Sequence, residues 1–294
     1  MLRKKKSNRI KRSRMEQEIF CIAGCFLFVY AVSLVVPMLW LLMSSLKDFA
    51  DYTLDLTAGH PFRLPTEWRF DNYSEAFEMM MVENTSFLGM VFNSLWQSIP
   101  PLAINTVISM SFAYTLAKFE FPGRNLIYSG IIAIMVIPIM TGGGALFKLY
   151  RDTGLYDNPL MYLVGAFGWG NFLYNYSFFK NVSGSYAEAV YIDGGGEFTA
   201  FFKVVFPQAL SLILAMGVLG FISAWNNYLD VLLYMPSYPS VSSGLYILKN
   251  TFLRQGKDTI YYAGSVIAMI PTLVLFGLFS DKIMTNMSIG GLKG

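Results

Sequence analysis

Long apolar segments, separated by shorter polar ones, dominate the chain. Six of them are long enough to cross a bilayer, because a spanning helix needs about 20 mostly apolar residues. The segments cover residues 19–46, 87–117, 125–149, 160–179, 204–234 and 260–280. This pattern predicts an all-α integral membrane protein with six transmembrane helices in a single membrane domain, residues 19–283.

The composition supports a membrane location. Hydrophobic residues make up 54% of the 294 positions and charged residues only 14%, whereas a soluble domain carries about 25% charged residues. This balance excludes a soluble enzyme, a disordered chain and a nucleic-acid-binding domain. Membrane lipid is therefore an expected partner, and nucleic acid is not.

The distribution of Lys and Arg predicts the orientation. Eight of these residues lie in the first 14 positions, within a basic segment of residues 1–18. With the N-terminus inside, the inner segments hold 14 Lys and Arg and the outer ones 8, as expected because cytoplasmic loops are enriched in these residues. Both termini are thus predicted to be cytoplasmic, with residues 284–294 as a cytoplasmic tail.

A cleavable signal peptide is the alternative interpretation of the start of the chain. The basic segment fits it, and residues 22–25 resemble a lipoprotein cleavage box. Only three apolar residues separate Glu18 from that box, however, and a signal peptide needs roughly 7–15. We therefore interpret residues 19–46 as an uncleaved first span.

The residues of catalytic and metal sites are scarce. The single histidine, His60, lies in the long outer loop 47–86 and is far in sequence from Cys21 and Cys25, so no metal site is predicted. A phosphate-binding loop G-x-x-x-x-G-K-[ST] is also missing. The sequence predicts a chain that is not an enzyme, has no catalytic residue and holds no cofactor. Any ATP must be bound by another chain.

The segment 181–207, between the fourth and fifth predicted spans, has an unusual pattern. Ser185 and Glu188 have the spacing of a capping box, which predicts the start of a short helix. The glycines at 194–196 predict a break with positive φ, and a second helical stretch is expected to start near Glu197. Pro207 stands where a helix can begin or bend.

Two interpretations of this short helix compete. It either transmits force from a cytoplasmic partner or rests on the lipid surface as an amphipathic helix. A lipid-bound helix usually carries Lys or Arg on its polar face, and residues 181–202 contain neither. The pattern therefore favours a protein partner.

The same segment resembles the "EAA" loop of ABC importer permeases. The matching residues are Glu188 and Ala189, then Asp193 and Gly194, and then Pro207. Two positions depart from the motif: Val190 replaces its second Ala, and Gly195 stands where Ala is usual.

Two further stretches resemble carbohydrate uptake permeases of the maltose transporter G-subunit type, namely residues 224–228 and the tail 290–294. The resemblance covers residues 15–294 and implies a type I ABC importer permease fold in the bacterial cytoplasmic (inner) membrane. It also implies a heteromeric complex. The expected partners are a second homologous permease, two ABC ATPases that bind ATP and Mg, and an extracellular sugar-binding protein.

The resemblance also assigns roles to residues. The ATPase-coupling element comprises Glu188, Ala189, Asp193, Gly194 and Pro207. Glu188 is expected to face a basic residue of the ATPase. Pro207 is expected to start the next helix. The alternative is a purely structural role, because proline is common at the first position of a helix. The tail 284–294 is implied to reach between the ATPases, and a frayed terminus is its alternative.

Aromatic faces stack on sugar rings and amides bind hydroxyl groups, so polar and aromatic residues near the spans are candidates for a substrate pathway. Hydrogen bonding between helices is the competing and favoured interpretation of these residues. The candidates are Asn171, Asn175, Trp225, Asn226, Asn227, Tyr228 and Asp230.

The predicted function is uptake of an oligosaccharide or related sugar by alternating access. The first alternative is a permease for another solute, such as glycerol phosphate or a polyamine. Basic residues deep in the spans would favour a phosphate ester as the substrate. The second alternative is an ion-coupled secondary transporter. Acidic residues within the spans would support this alternative.

Overall fold

The structure is a computed structural model that describes residues 14–136, 142–165 and 170–287. Within these ranges the chain is helical, apart from turns, loops and one isolated bridge between Val82 and Thr85, which confirms the predicted all-α class. A π-helix, Ala200–Val205, lies between α10 and α11. The α-helices are α1 Arg14–Ser45, α2 Phe49–Thr57, α3 Asp71–Met79, α4 Phe87–Lys118, α5 Arg124–Val136, α6 Gly142–Asp152, α7 Leu160–Gly165, α8 Phe172–Asn181, α9 Ser185–Ile192, α10 Glu197–Thr199, α11 Phe206–Gln208, α12 Leu210–Trp225, α13 Leu229–Tyr234, α14 Val241–Arg254 and α15 Asp258–Met287.

Three described helices are each long and apolar enough to cross a membrane: α1, α4 and α15. They coincide with the first, second and sixth predicted spans. The third and fourth predicted spans each include residues outside the described ranges, at 137–141 and 166–169. The count of six spans and the cytoplasmic location of both termini therefore remain predictions.

The fifth predicted span, 204–234, is wrong as a continuous helix. The helical stretch begins earlier, at Glu197, bends by 68° between Gln208 and Leu210, and ends at Trp225. Pro207 lies at the bend and has no amide hydrogen to donate to the preceding turn. Beyond Trp225 the chain makes a turn before the short α13.

Helix α4 is central to the packing. It contacts α8 and α12, while α12 packs on α15 and α15 packs on α1 and α3. Two buried apolar clusters form along it, which we name by the predicted orientation. The outer cluster lies around the start of α4 and includes Met80, Phe87 and Trp225. The inner cluster lies around the end of α4 and includes Tyr114 and Phe201.

The predicted outer loop 47–86 is held by buried polar contacts, which we call the outer lock. Lys47 Nζ lies 2.8 Å from Asp55 Oδ2, and both side chains are buried. Asn72 Nδ2 donates to the carbonyl oxygens of Ser45 (2.8 Å) and Lys47 (2.9 Å). Helix α3, which begins at Asp71, lies in the same loop and carries Asn72.

Candidate functional site

The start of α9 differs from the prediction. The expected capping box is wrong, because Gly184 is the N-cap and already has helical φ and ψ of −61° and −26°. Ser185 is thus inside the helix, where its side chain does not cap. The Ser183 hydroxyl instead accepts a bond from the Ser185 amide at 3.3 Å. Glu188 remains in the first turn and is exposed.

The end of α9 is a tight glycine turn. Gly194 has φ of +79°, and its amide donates to the Tyr191 carbonyl at 3.1 Å. The Gly195 amide donates to the Val190 carbonyl at 2.8 Å. This pair of bonds is the Schellman arrangement, which needs a left-handed residue at the position of Gly194. The predicted break with positive φ is confirmed at this glycine.

The two residues that depart from the EAA motif lie against each other. A Cβ atom added at Gly195 would lie 2.6 Å from Val190 Cγ1 and 3.1 Å from the Val190 carbonyl oxygen. Such a distance is too short for two carbon atoms, so the larger residue at 190 is accommodated by the smaller one at 195. The two departures are therefore structurally linked.

A side-chain bond crosses the glycine turn. The Glu197 carboxylate accepts a hydrogen bond from the Tyr191 hydroxyl, which raises the pKa of Tyr191 to about 12. Partial burial and the negative charge of Glu197 add to this increase in the pKa. The bond links the last turn of α9 to the start of α10 and holds the two helices together.

Helix α9 has no buried residue. Its last residue, Ile192, is 86% exposed, and Phe198 beyond the turn is 82% exposed. Tyr186 and Tyr191 are also exposed. The helix therefore presents an uncovered apolar surface in this single chain.

The predicted coupling residues are brought together only in part. Glu188 and Ala189 lie exposed on α9, and Asp193 is its exposed C-cap, directly before the Gly194 turn. Pro207 is separate from this group, in the first turn of α11 after the π-helix.

The two predicted pathway residues nearest α8 have different surroundings. Asn171 is the N-cap of α8 and makes no side-chain capping bond. Asn175 is buried, and its Nδ2 donates to Ser109 Oγ of α4 at 2.9 Å. The Asn175 amide thus joins two helices, which is the competing interpretation given above.

Trp225 is a packing residue of the outer cluster. It is 2% exposed, its ring stacks on Phe221 at 5.5 Å, and its Nε1 donates to the Ala268 carbonyl at 3.0 Å. Its side chain therefore joins α12 to α15.

The next four predicted pathway residues surround the turn between α12 and α13. The Asn226 side chain donates to the Ile222 carbonyl at 2.8 Å. Asn227 Nδ2 donates to Asp230 Oδ2 at 2.6 Å. Tyr228 is exposed and stacks on Tyr246, with ring centres 4.7 Å apart.

A cavity of about 290 Å³ lies between α4, α6, α7, α12 and α13. Of the predicted pathway residues, only Asp230 lines it. The other polar lining residues are Gln97, Ser98, Asn105, Tyr150, Tyr162 and Tyr234. One signal for them was present in the sequence, because Gln97, Pro101 and Asn105 are four apart and so share one face of α4.

Comparison with known proteins identifies the family. Residues 85–288 match the family described as "Binding-protein-dependent transport system inner membrane component". The chain belongs to this family. The permease is therefore a transport component of the inner membrane and not an enzyme, in agreement with the sequence-based prediction.

Relatives match along most of the permease. The diacetylchitobiose uptake system permease protein NgcG of Streptomyces coelicolor is 29% identical over 290 residues, covering 95% of this chain and 90% of that protein. The trehalose transport system permease protein SugB of Mycobacterium tuberculosis is 26% identical over 266 residues, covering 88% and 91%.

A solved structure shows the same fold. It is a bacterial ABC transporter involved in the import of the acidic polysaccharide alginate. One of its chains matches with a TM-score of 0.78 and 21% identity, covering 93% of this chain and 99% of that chain. The ABC importer permease fold implied by the EAA loop is thus confirmed.

Proposed function

We propose that this permease takes up an oligosaccharide or related sugar, delivered by an extracellular binding protein and driven by ATP. The names of NgcG and SugB, both sugar permeases, support the substrate class. In this proposal the chain has six spans with both termini in the cytoplasm. It pairs with a second permease and with two ATPases that bind ATP and Mg.

The exposed helix α9 carries the proposal of ATPase coupling. A helix with no buried residue, ending in the exposed Ile192, is a surface suited to a cleft on another protein. Glu188, Ala189, Asp193 and Gly194 are the proposed docking residues, and Glu188 meets a basic residue of the ATPase.

The attachment of α9 to the membrane domain suits the transmission of force. The π-helix that follows α10 places Phe201 in the inner cluster, where its ring lies 4.8 Å from that of Tyr114 on α4. The Tyr114 ring lies 5.5 Å from that of Phe179 on α8. A displacement of α9 is thereby passed to two membrane helices. We propose that Pro207, at the bend after the π-helix, sets the direction of α12.

ATP drives transport by its higher affinity for the closed state of the ATPases, since a ligand shifts a two-state equilibrium only by its differential affinity. Closure moves α9 and the equivalent helix of the second permease together, and the transport pathway opens outward to receive sugar. Hydrolysis returns it to the inward-open state.

For the substrate pathway we propose Asp230 and the adjacent turn, with Asn226, Asn227 and Tyr228. Asn175 and Trp225 contribute by fixing the helices around it, as their bonds to Ser109 and Ala268 support. Asn171, at the N-cap of α8, stays a pathway candidate by its residue type. The proposed tail, 284–294, begins within α15, and its residues 288–294 lie outside the described ranges.

A permease for a polyamine is the second candidate, because a carboxylate in the cavity also suits a cation. The tyrosines and amides that line the same cavity favour a sugar over a flexible amine.

The test of coupling is Glu188→Lys in the complete assembly, reconstituted in vesicles with Glu188→Gln as the matched control. Like charges across an interface cost several kcal/mol, so we expect Glu188→Lys to lower ATP-driven sugar uptake by at least about tenfold. It should also weaken retention of the ATPases, while Glu188→Gln has a smaller effect. Unchanged uptake in Glu188→Lys, or uptake driven by an ion gradient without ATP, would contradict the proposal.

A further inference from the structure

The described lining of the cavity between α4, α6, α7, α12 and α13 carries charge of one sign only, and that sign is negative. Among its described lining residues, Asp230 is the only one with a charged side chain. The nearby segments 137–141 and 166–169, which lie outside the described ranges, contain no charged residue in the sequence either. Lys148 and Arg151 of α6 are exposed and do not line the cavity. An anion placed in the cavity thus meets a carboxylate and no cation from this lining.

The position of Asp230 is fixed by local bonds. Its amide donates to Asn227 Oδ1 at 3.2 Å, and its Oδ2 accepts from Asn227 Nδ2 at 2.6 Å. The neighbouring amide is a neutral partner, and no ion pair among the described contacts involves the Asp230 carboxylate.

The rest of the lining suits a sugar ring. The Tyr150 ring packs edge-on against Tyr234, with centres 5.2 Å apart. The Tyr162 ring packs edge-on against Trp96 at 5.6 Å. These contacts hold the rings in fixed orientations. The cavity volume of about 290 Å³ is close to the lower limit of about 300 Å³ for small-molecule sites.

We propose that this cavity is a subsite for a neutral or amino-bearing sugar ring, and that Asp230 makes it select against sugar acids. A protonated amine at the ring pairs with the Asp230 carboxylate, whereas a uronate or a phosphate is repelled by it. The inference rests on the proposed function, since it names the charge class of the sugar that the permease carries. It sets this chain apart from the solved relative, which is involved in importing an acidic polysaccharide.

The test measures direct sugar binding to the complete permease assembly in lipid nanodiscs, without the binding protein, so that only the membrane subunits select. Three disaccharide probes differ in charge: N-acetylated chitobiose, its free-amine form and a uronic acid disaccharide. Saturation-transfer NMR detects weak binding. The variants are Asp230→Asn and Asp230→Lys, and Asp152→Asn, an exposed acidic residue outside the cavity, is the matched control.

We expect the amine form to bind about two- to fivefold more tightly than the neutral form, as for a partly exposed ion pair, and the uronate to bind least. Asp230→Asn should remove the preference for the amine, Asp230→Lys should favour the uronate, and Asp152→Asn should match the unmodified protein. Equal binding of all three probes to the unmodified protein, or a preference unaltered by both Asp230 variants, would overturn the inference.

ATP-driven uptake by the same preparation, supplied with its binding protein, separates the two levels of failure. Retained sugar uptake without charge selection at Asp230 would refute the subsite and leave the proposed function intact. Uptake of a non-sugar solute in place of any sugar would refute both.

Discussion

The outer lock and the coupling helix α9 are built in opposite ways. At the outer lock, Lys47 is 1% exposed and Asp55 5% exposed, and their ion pair joins the segment after α1 to α2 within the same chain. Helix α9 has no buried residue, and Ile192 at its end is 86% exposed. The outer loop is thus completed by contacts within the permease, whereas α9 has a stable backbone but an uncovered surface.

The comparison shows that a defined backbone and a buried surface are separate properties. Helix α9 obtains its shape from local bonds, namely the Gly194 turn and the Tyr191–Glu197 contact. The outer lock obtains its shape from contacts between residues on different elements. Substitutions at the lock should therefore affect folding, and substitutions on α9 should affect local structure or the partner.

The largest effect on stability is expected at the outer lock. Lys47→Met leaves Asp55 as a buried charge, and removal of one partner of a buried ion pair costs about 3–5 kcal/mol. Arg63, whose Nη1 lies 3.8 Å from Asp55 Oδ1, is mostly exposed and replaces little of this contact. Denaturant unfolding of the purified protein measures the loss. Arg63→Gln is the control and should change stability little; an equal loss in both variants would contradict the assignment.

A smaller and local effect is expected at the α9 turn. Gly195→Ala places a methyl group against the Val190 side chain, and such overpacking costs about 1–3 kcal/mol. We expect faster hydrogen exchange of the α9 amides and a loss of global stability smaller than that at the outer lock.

Two further variants sharpen the test of the turn. Gly196→Ala is the matched control, because no atom lies within 4 Å of its added Cβ. The double variant Val190→Ala with Gly195→Ala should restore part of the protection. If Gly195→Ala and Gly196→Ala exchange at the same rate, the proposed contact is wrong.

The smallest effect is expected between the two regions, at the bond from Asn175 on α8 to Ser109 on α4. Hydrogen bonds between membrane helices are worth about 0.6 kcal/mol on average and at most about 1.7. Asn175→Ala removes this bond and also some buried atoms, so it should lower the free energy of unfolding by about this amount or slightly more. A double-mutant cycle with Ser109→Ala isolates the bond, and a coupling energy of zero would show that the bond contributes nothing.

Local sequence patterns predicted local structure well. Long apolar runs were sufficient for α1, α4 and α15, and the glycines at 194–196 were sufficient for the turn. The capping box failed because Ser183 and Gly184, just upstream, start the helix first. The prediction of the fifth span as one continuous helix was wrong because hydropathy does not detect the loss of a backbone hydrogen bond at Pro207.

Contacts between separate structural elements could not be predicted. The Lys47–Asp55 pair depends on how α2 folds back on the end of α1. The cavity depends on helices that are far apart in sequence, so only Asp230 among its polar residues was identified. Trp225 was a pathway candidate because of its residue type, and the packing of α12 against α15 buries it instead.

Docking of α9 on the ATPase is measured most directly by a cross-link between the two in the complete assembly. Cys21 and Cys25 are replaced by Ser, and a single cysteine is placed at Ile192 or, as the control, at Leu126 of α5, which is 78% exposed. We expect a short thiol cross-linker to join the Ile192→Cys variant to an ATPase subunit, with a yield that nucleotide changes. An active assembly in which the Ile192→Cys variant gives no more ATPase adduct than the Leu126→Cys variant would contradict this docking.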